Sequence, residues 1–352
     1  MKNSFEPQEW HEDLQRLRAL EYIPKTQIDF FKYLSEAHYR AKDRLAKEKI
    51  YPSLSKEKAH EMLSQGFPLI DFDQINIEAE PLRDHFKEIC AVIGKYEEAN
   101  LSQIEKGLGD FGTGGLGDKE TRGQGDNLPL SPSPPPPLSP SLSQFPHLDL
   151  DLKEFIRKTL FQGSDYLREI SEKTGIDEST LEFIGLTLAR PLFELAASDM
   201  KAMLGEYPWW QNRCPACGGP PFMARIRRED GMRILRCSLC AVEWKFARVK
   251  CPFCNNEDQK SLKFFYYLET SPYRLYVCEQ CKRYIKSVDE RKIDQSRIID
   301  LAVEDVATLY LDVLAREKGY LPPSSLSQDI TIKSMNQQDR VKNPCHSLNE
   351  ED

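Results

Sequence analysis

Four Cys-x-x-Cys pairs decide the fold of this chain: Cys214-Pro-Ala-Cys217, Cys237-Ser-Leu-Cys240, Cys251-Pro-Phe-Cys254 and Cys278-Glu-Gln-Cys281. They hold eight of the chain's 10 cysteines within one short region. In a long chain, cysteines paired at this spacing are typical of metal ligands, whereas dense cysteines in a small secreted protein indicate disulfides.

The distances between the pairs predict two separate metal sites. Nineteen residues separate the first pair from the second and 23 separate the third from the fourth, but only 10 lie between the second and the third. Two such pairs joined by about 15–20 residues are typical of a zinc-ribbon or rubredoxin-like site. We therefore expect one ion on Cys214, Cys217, Cys237 and Cys240, and another on Cys251, Cys254, Cys278 and Cys281.

The ligands of both sites are expected to be thiolates alone, because no histidine occurs between His147 and His346. Four sulfurs in a tetrahedron suit zinc and a single iron equally well. Such a closed site lacks the vacant position that hydrolytic zinc requires. The sequence also offers no nucleophile with a base and no phosphate-binding loop, so we expect a protein without catalytic activity.

Short strands are predicted between the cysteine pairs. The segments 222–226 and 232–237 form a hairpin turned by Asp230-Gly231, and 264–268 pairs with 273–277. The residue after each second cysteine favours a positive φ where it is Gly218 or Asn255. Ala241 and Lys282 tolerate that conformation less well, so we expect one well-formed and one looser turn at each site.

The rest of the chain is predicted to be mainly helical, apart from a Gly/Pro-rich segment between the helices. From 107 to 141, 35 residues contain eight Gly and seven Pro, too little apolar surface to offset the entropy of ordering. Asp177 is expected to cap a helix, Arg190-Pro191 to break it, and 296–318 to form one C-terminal helix.

The predicted fold class is α+β, with an N-terminal all-helical domain followed by two small rubredoxin-like or zinc-ribbon β modules and a C-terminal helix. The predicted segments are, in order, a helical region at 1–106, a disordered Gly/Pro-rich insert at 107–147, the continued helical domain at 148–208, the first four-cysteine module at 209–249, the second at 250–290, the C-terminal helix at 291–320 and a disordered tail at 321–352.

Composition argues against a membrane protein and against a general nucleic-acid binder. The apolar runs are too short to span a bilayer, and the first ten residues lack the pattern of a signal peptide, so we expect a cytoplasmic location. The net charge is −8. Between Cys214 and Cys281 there are 11 Lys/Arg and seven Asp/Glu, and this surplus of +4 cancels the −4 of two divalent ions on eight thiolates.

The cysteine region closely resembles the formate dehydrogenase accessory protein (FdhE) family. The resemblance lies in Cys-Pro-Ala-Cys-Gly-Gly-Pro-Pro at 214–221, Arg-Cys-Ser-Leu-Cys-Ala-Val-Glu-Trp at 236–244, Arg-Val-Lys-Cys-Pro-Phe-Cys at 248–254, Cys-Glu-Gln-Cys-Lys-Arg-Tyr-Ile-Lys at 278–286, and the helix with Glu304-Asp305, Leu311-Asp312 and Glu317-Lys-Gly-Tyr320. It extends from about Leu188 to Tyr320. Lys282 and Lys245 depart from the glycine and histidine of the family pattern.

The resemblance implies a cytoplasmic assembly factor that contacts the catalytic subunit of a molybdenum- or tungsten-dependent formate dehydrogenase during maturation. It implies the same eight cysteine ligands, with iron as the associated metal, whereas zinc is the usual occupant of such sites. Two alternatives stay open: a zinc-ribbon nucleic-acid-binding protein, in which the aromatic residues at 264–267, Tyr273 and Tyr276 would stack on bases, and a rubredoxin-like redox protein. The sequence leaves a homodimer open.

Overall fold

The computed structural model describes residues 7–47, 49–106, 145, 150–205 and 207–323. Apart from Phe145, the predicted insert at 107–147 lies outside these residues. The chain from 324 onward also lies outside them, so the expectations for the insert and for the tail stay predictions.

In the part of the chain before the cysteines, the described residues form helices joined by loops, with no strand among them. Its α-helices are α1 Pro7–Arg18, α2 Lys25–Leu45, α3 Lys56–Ser64, α4 Ala79–Lys106, α5 Leu152–Phe161, α6 Ser164–Thr174 and α7 Glu178–Leu204. Helix α7 lies at the centre of this domain and contacts α2, α3, α4, α5 and α6. Among the described helices, none combines the length and the apolar character that crossing a bilayer requires.

Helix α7 begins as the sequence predicts but does not end where expected. The Asp177 carboxylate accepts from the Thr180 backbone N–H at 3.0 Å, which confirms it as the N-cap. The predicted break at Arg190-Pro191 is wrong, because α7 continues through Pro191 to Leu204. Proline lacks the N–H that would reach the carbonyl four residues earlier, here that of Thr187.

A histidine from another helix compensates for the missing donor. His85 on α4 is fully buried, and its Nε2 lies 3.4 Å from the Thr187 carbonyl oxygen. Because a carbonyl only accepts, Nε2 must carry the proton in this contact. Burial lowers the pKa of His85 from 6.5 to about 3, so the ring is neutral and supplies the donor that Pro191 cannot.

Six strands form one continuous sheet. They are β1 Pro221–Ile226, β2 Arg233–Cys237, β3 Glu243–Phe246, β4 Leu262–Phe265, β5 Tyr273–Cys278 and β6 Tyr284–Asp289. The order across the sheet is β3-β2-β1-β6-β5-β4. All neighbours are antiparallel except β1 and β6, which pair in parallel from Met223–Lys286 to Ile226–Asp289.

The α+β class and both predicted hairpins are confirmed, although the strand predicted at 264–268 lies earlier, at Leu262–Phe265. The sheet adds what the sequence did not indicate. Each module contributes three strands, because β3 and β6 complete the hairpins β1–β2 and β4–β5. The β1–β6 pairing then joins the two modules into a single layer. The two four-cysteine modules therefore share one sheet.

The predicted C-terminal helix is two helices, α8 Leu301–Ala307 and α9 Leu309–Glu317. The helix stops at Thr308, whose hydroxyl donates to the Glu304 carbonyl at 2.7 Å and whose φ and ψ are −120° and 24°. A second donor to this turn comes from the sheet, since Lys286 Nζ lies 2.9 Å from the Asp305 carbonyl oxygen. The chain therefore turns where the side chains of Thr308 and Lys286 donate to carbonyl groups in the last turn of α8.

Buried ion pairs fasten these C-terminal helices to the sheet. The Lys286 ammonium on β6 is almost completely buried and lies 2.7 Å from the Asp305 carboxylate and 2.6 Å from that of Asp312. Glu304 is also buried and binds Arg16 of α1 at 2.8 Å and the Tyr273 hydroxyl at 2.7 Å. Buried charges are stable only when paired, so these contacts fix the position of α8 and α9.

We predict that His85→Ala lowers the free energy of unfolding by about 1–3 kcal/mol, because the Thr187 carbonyl becomes a buried acceptor without a donor. His85→Gln keeps a donor and should lose less. Urea unfolding followed by circular dichroism measures both, with the exposed His60→Gln as the control. Equal losses for the alanine and glutamine variants would contradict the role assigned to His85.

The same histidine predicts a pH dependence of stability. Its folded pKa is lowered, so its contribution is complete above the unfolded pKa of 6.5 and is lost as the pH falls toward about 3. Over that window the unfolded chain binds a proton that the folded chain excludes, which costs up to about 1.4 kcal/mol per pH unit. In His85→Gln the slope of stability against pH between 6 and 4 should be shallower by roughly that amount, and an unchanged slope would disprove the assignment.

Candidate metal centres

The first four cysteines converge on one point. The Sγ atoms of Cys214 and Cys240, of Cys217 and Cys237, and of Cys217 and Cys240 are each 3.4 Å apart. All four sulfurs lie within 4.8 Å of one another, and all four residues are buried. We call this group the first centre.

The other four cysteines form the second centre in the same way. The Cys251 and Cys281 sulfurs are 3.7 Å apart, as are those of Cys254 and Cys278. Here too all four sulfurs lie within 4.8 Å of one another. The structure thus groups the cysteines in the two sets that the sequence spacing predicts, and the cysteines of both sets are free of disulfides.

The donor atoms fit a tetrahedral thiolate site. Four sulfurs around an ion at about 2.3 Å lie about 3.8 Å from one another, close to the separations of both centres. Burial raises the pKa of Cys214 and of Cys240, whereas at Cys237 hydrogen bonds from the other thiols outweigh burial and lower the pKa. Four sulfur donors suit zinc or a single iron, and the geometry is compatible with either.

The turn that follows each cysteine pair has the same backbone. Gly218, Ala241, Asn255 and Lys282 have φ values of 75°, 56°, 60° and 55°. The structure therefore differs from the expectation of two looser turns. In each turn the first cysteine's N–H donates to the carbonyl five residues later, at 2.8–3.0 Å. Convergence of the sulfurs requires this conformation even where the residue is not glycine.

The helical domain encloses the first centre. The backbone N–H groups of Leu69 and Ile70 donate to the carbonyls of Pro215 and Ala216 at 3.1 and 2.7 Å. On the other side, Arg190 of α7 donates from Nε to the Ser238 carbonyl at 3.2 Å. Both turns of the first centre are therefore bound to the helical domain.

The tryptophans before the first centre have different environments. Trp209 is buried and donates to the Arg213 carbonyl at 2.7 Å, so it packs the helical domain against the sheet. Trp210 is 51% exposed. Of the two tryptophans, Trp209 alone is buried in the core that the helical domain shares with the sheet.

A buried arginine beside the second centre was not predicted from the sequence. Arg233 on β2 is 2% exposed, and its Nη1 donates to the Lys250 carbonyl at 3.1 Å, immediately before Cys251. Its guanidinium lies 4.6 Å from the centre of the Tyr276 ring, and within the described ranges no carboxylate pairs with it. A divalent ion with four thiolates carries −2, so this cation suits the charge of the second centre. The sequence did contain a signal for this buried arginine, because a charged residue stands at a strand position where an apolar residue is expected.

Comparison with known proteins connects this geometry to a family. Residues 213–248 match the family model described as FdhE, central domain, and residues 249–326 match the one described as FdhE, C-terminal domain. The boundary between the two matches falls between the first centre and the second.

Curated relatives match less than half of the chain. A protein FdhE homolog from Aquifex aeolicus is 34% identical over 152 residues, which are 42% of this chain and 52% of the relative. Protein FdhE from Escherichia coli is 32% identical over 155 residues, 43% of this chain and 48% of the relative. The chain thus spans about half the length of these curated relatives.

A solved structure resembles the whole fold. The crystal structure of the FdhE protein from Pseudomonas aeruginosa matches with a TM-score of 0.53 and 19% sequence identity, covering 91% of this chain and 94% of the other. At this identity the likeness concerns the fold alone. It extends over the helical domain, which the family models do not reach.

We predict that Ala241→Gly stabilises the protein by about 1 kcal/mol, because the left-handed backbone at this position strains a residue with a Cβ atom. Gly218→Ala should destabilise it, since the new Cβ is strained at φ 75° and would lie 3.2 Å from Pro68. Urea unfolding of the metal-loaded protein measures both changes.

The control for this prediction is the exposed Ala247, whose φ is not positive. Ala247→Gly only increases the conformational entropy of the unfolded chain, and it should lower the free energy of unfolding by about 0.4–1 kcal/mol. If Ala241→Gly and Ala247→Gly destabilise the protein equally, strain in the turn is refuted.

Proposed function

We propose that this chain, whose residues 213–326 carry the central and C-terminal domains of the FdhE family, is an accessory factor for formate dehydrogenase maturation. It binds the catalytic subunit of the enzyme in the cytoplasm during assembly. It carries two metal ions, iron or zinc, on Cys214, Cys217, Cys237 and Cys240 and on Cys251, Cys254, Cys278 and Cys281. The observation that carries the proposal is the match of both domains to one family, with four cysteines converging in each.

The form of the two centres supports an assembly factor without catalytic turnover. In each centre four sulfurs surround one point, which completes a tetrahedron and leaves no position for water or substrate. The first centre supports the fold, because it holds β1–β3 against the helical domain. Structural sites of this kind contribute folding energy directly, so the protein should lose structure when the ion is removed.

Trp210 belongs to the proposed partner surface. Its indole is half exposed, in the segment that joins the helical domain to the first centre. Exposed tryptophan is among the residues that contribute most to protein interfaces.

The proposal predicts the partner recovered by affinity purification. The tagged full chain, isolated without oxygen from its own cells grown with formate, should bring down the formate dehydrogenase catalytic subunit in stoichiometric amount, identified by mass spectrometry. Recovery of nucleic acid or of an unrelated enzyme instead would overturn the proposal.

Trp210→Ala should weaken that interaction by about 2 kcal/mol, or roughly 30-fold in affinity. Tyr33→Ala on α2 is the matched control, because Tyr33 is a similarly exposed aromatic residue. Both variants should fold normally, as judged by circular dichroism. Equal recovery of the catalytic subunit by the two variants would remove Trp210 from the interface.

A further inference from the structure

The two centres differ in how far their cysteine residues are exposed to solvent. In the first centre all four cysteines are buried, and the most accessible, Cys217, is 6% exposed. In the second centre Cys251 and Cys278 are buried, but Cys254 and Cys281 are partly exposed. The two accessible cysteines come from different turns, so the second centre has an open side formed by both.

The surroundings of the second centre explain this accessibility. Its second turn carries the exposed residues Gln280 and Lys282, and Glu279 in the same turn pairs with Lys282 and with Lys263 at the surface. Within the described residues this turn has no hydrogen bond to the helical domain; instead, its Lys282 carbonyl accepts from the Leu321 backbone N–H at 2.7 Å, and its Glu279 carboxylate accepts from the Tyr320 hydroxyl at 2.9 Å. The first turn of the second centre is bound to the first module instead, where the Asn212 amide donates to the Phe253 carbonyl at 2.9 Å.

We propose that the second centre is the exchangeable one, which gives up its ion to an incoming donor, while the first centre retains its ion as part of the fold. This inference rests on the proposed role of both centres as metal sites. In the exchange, Cys254 or Cys281 releases its bond to the ion and takes up a proton, and the incoming donor forms a bond in its place. No electron is transferred.

Loss of the ion also costs less at the second centre. A thiol at Cys254 or Cys281 is in contact with water once the ion has left. At the first centre the four thiols would stay buried against the helical domain. The donor cannot approach there until the hydrogen bonds from Leu69, Ile70 and Arg190 to the two turns break. Exchange there requires a local opening of the structure, which is slower than exchange at an open site.

The test uses the zinc-loaded full chain with two ions per chain, established first by elemental analysis. Excess 4-(2-pyridylazo)resorcinol is added, and the absorbance of its zinc complex is followed. We expect two phases of equal amplitude that differ in rate by about 10–100-fold, the size of effects that surroundings have on metal sites. A single phase for both ions would overturn the inference.

The phases are assigned by variants and by labelling. Cys254→Ser should remove the fast phase and Cys217→Ser the slow one. If Cys217→Ser does not fold, the wild-type protein still decides: iodoacetamide is added when half of the zinc has left, and the labelled cysteines are identified by mass spectrometry. Label on Cys251, Cys254, Cys278 and Cys281 supports the proposal, and label on the first centre or on both sets equally refutes it.

The starting metal content separates this inference from the proposed function. Fewer than two ions per fully loaded chain would refute the assignment of both centres as metal sites. Two ions per chain that leave together would leave that assignment standing and refute only the difference in exchange.

Discussion

The structure of the cysteine region depends on one requirement, that four sulfurs from two distant turns meet at a point. Each turn must take a left-handed backbone after its second cysteine, and Ala241 and Lys282 do so despite the strain that this places on their Cβ atoms. Once the sulfurs have met, the strands that enter and leave the turns are held in register. The three-stranded units β1–β3 and β4–β6 follow from this, although neither has enough residues for a substantial core of its own.

The two centres satisfy this requirement in different surroundings. The first lies between the sheet and the helical domain and is covered on both turns. The second lies toward solvent, with Arg233 buried next to it and two of its four cysteines partly exposed. The same donor set can therefore serve two purposes in one chain, since burial and neighbouring charges govern the stability and exchange of a metal site as strongly as the ligands themselves do.

Much of this arrangement could be predicted from the sequence, because the deciding signals are local. The spacing of the cysteine pairs indicated the two groups, Asp230-Gly231 indicated a hairpin, and Asp177 indicated a helix start. The errors arose where a distant residue decides. Pro191 predicts a helix break, but His85, 102 residues before Thr187 in sequence, supplies the donor that the Thr187 carbonyl lacks. Strand β6 was missed because all six of its residues are buried, including Lys286 and Asp289, so it shows no alternation of polar and apolar residues.

The parallel pairing of β1 with β6 has a consequence for how the molecule can be made and divided. During synthesis β1 is the first strand of the sheet to leave the ribosome, and β6 is the last. The edge of β1 that pairs with β6 therefore stays unpaired until synthesis has passed Asp289. A fragment cut between the two modules would present the unpaired edge of a central strand, β1 in one half and β6 in the other. Unpaired edges of this kind recruit other chains and cause aggregation. Gene fusions and truncations should therefore treat residues 221–289 as one indivisible unit.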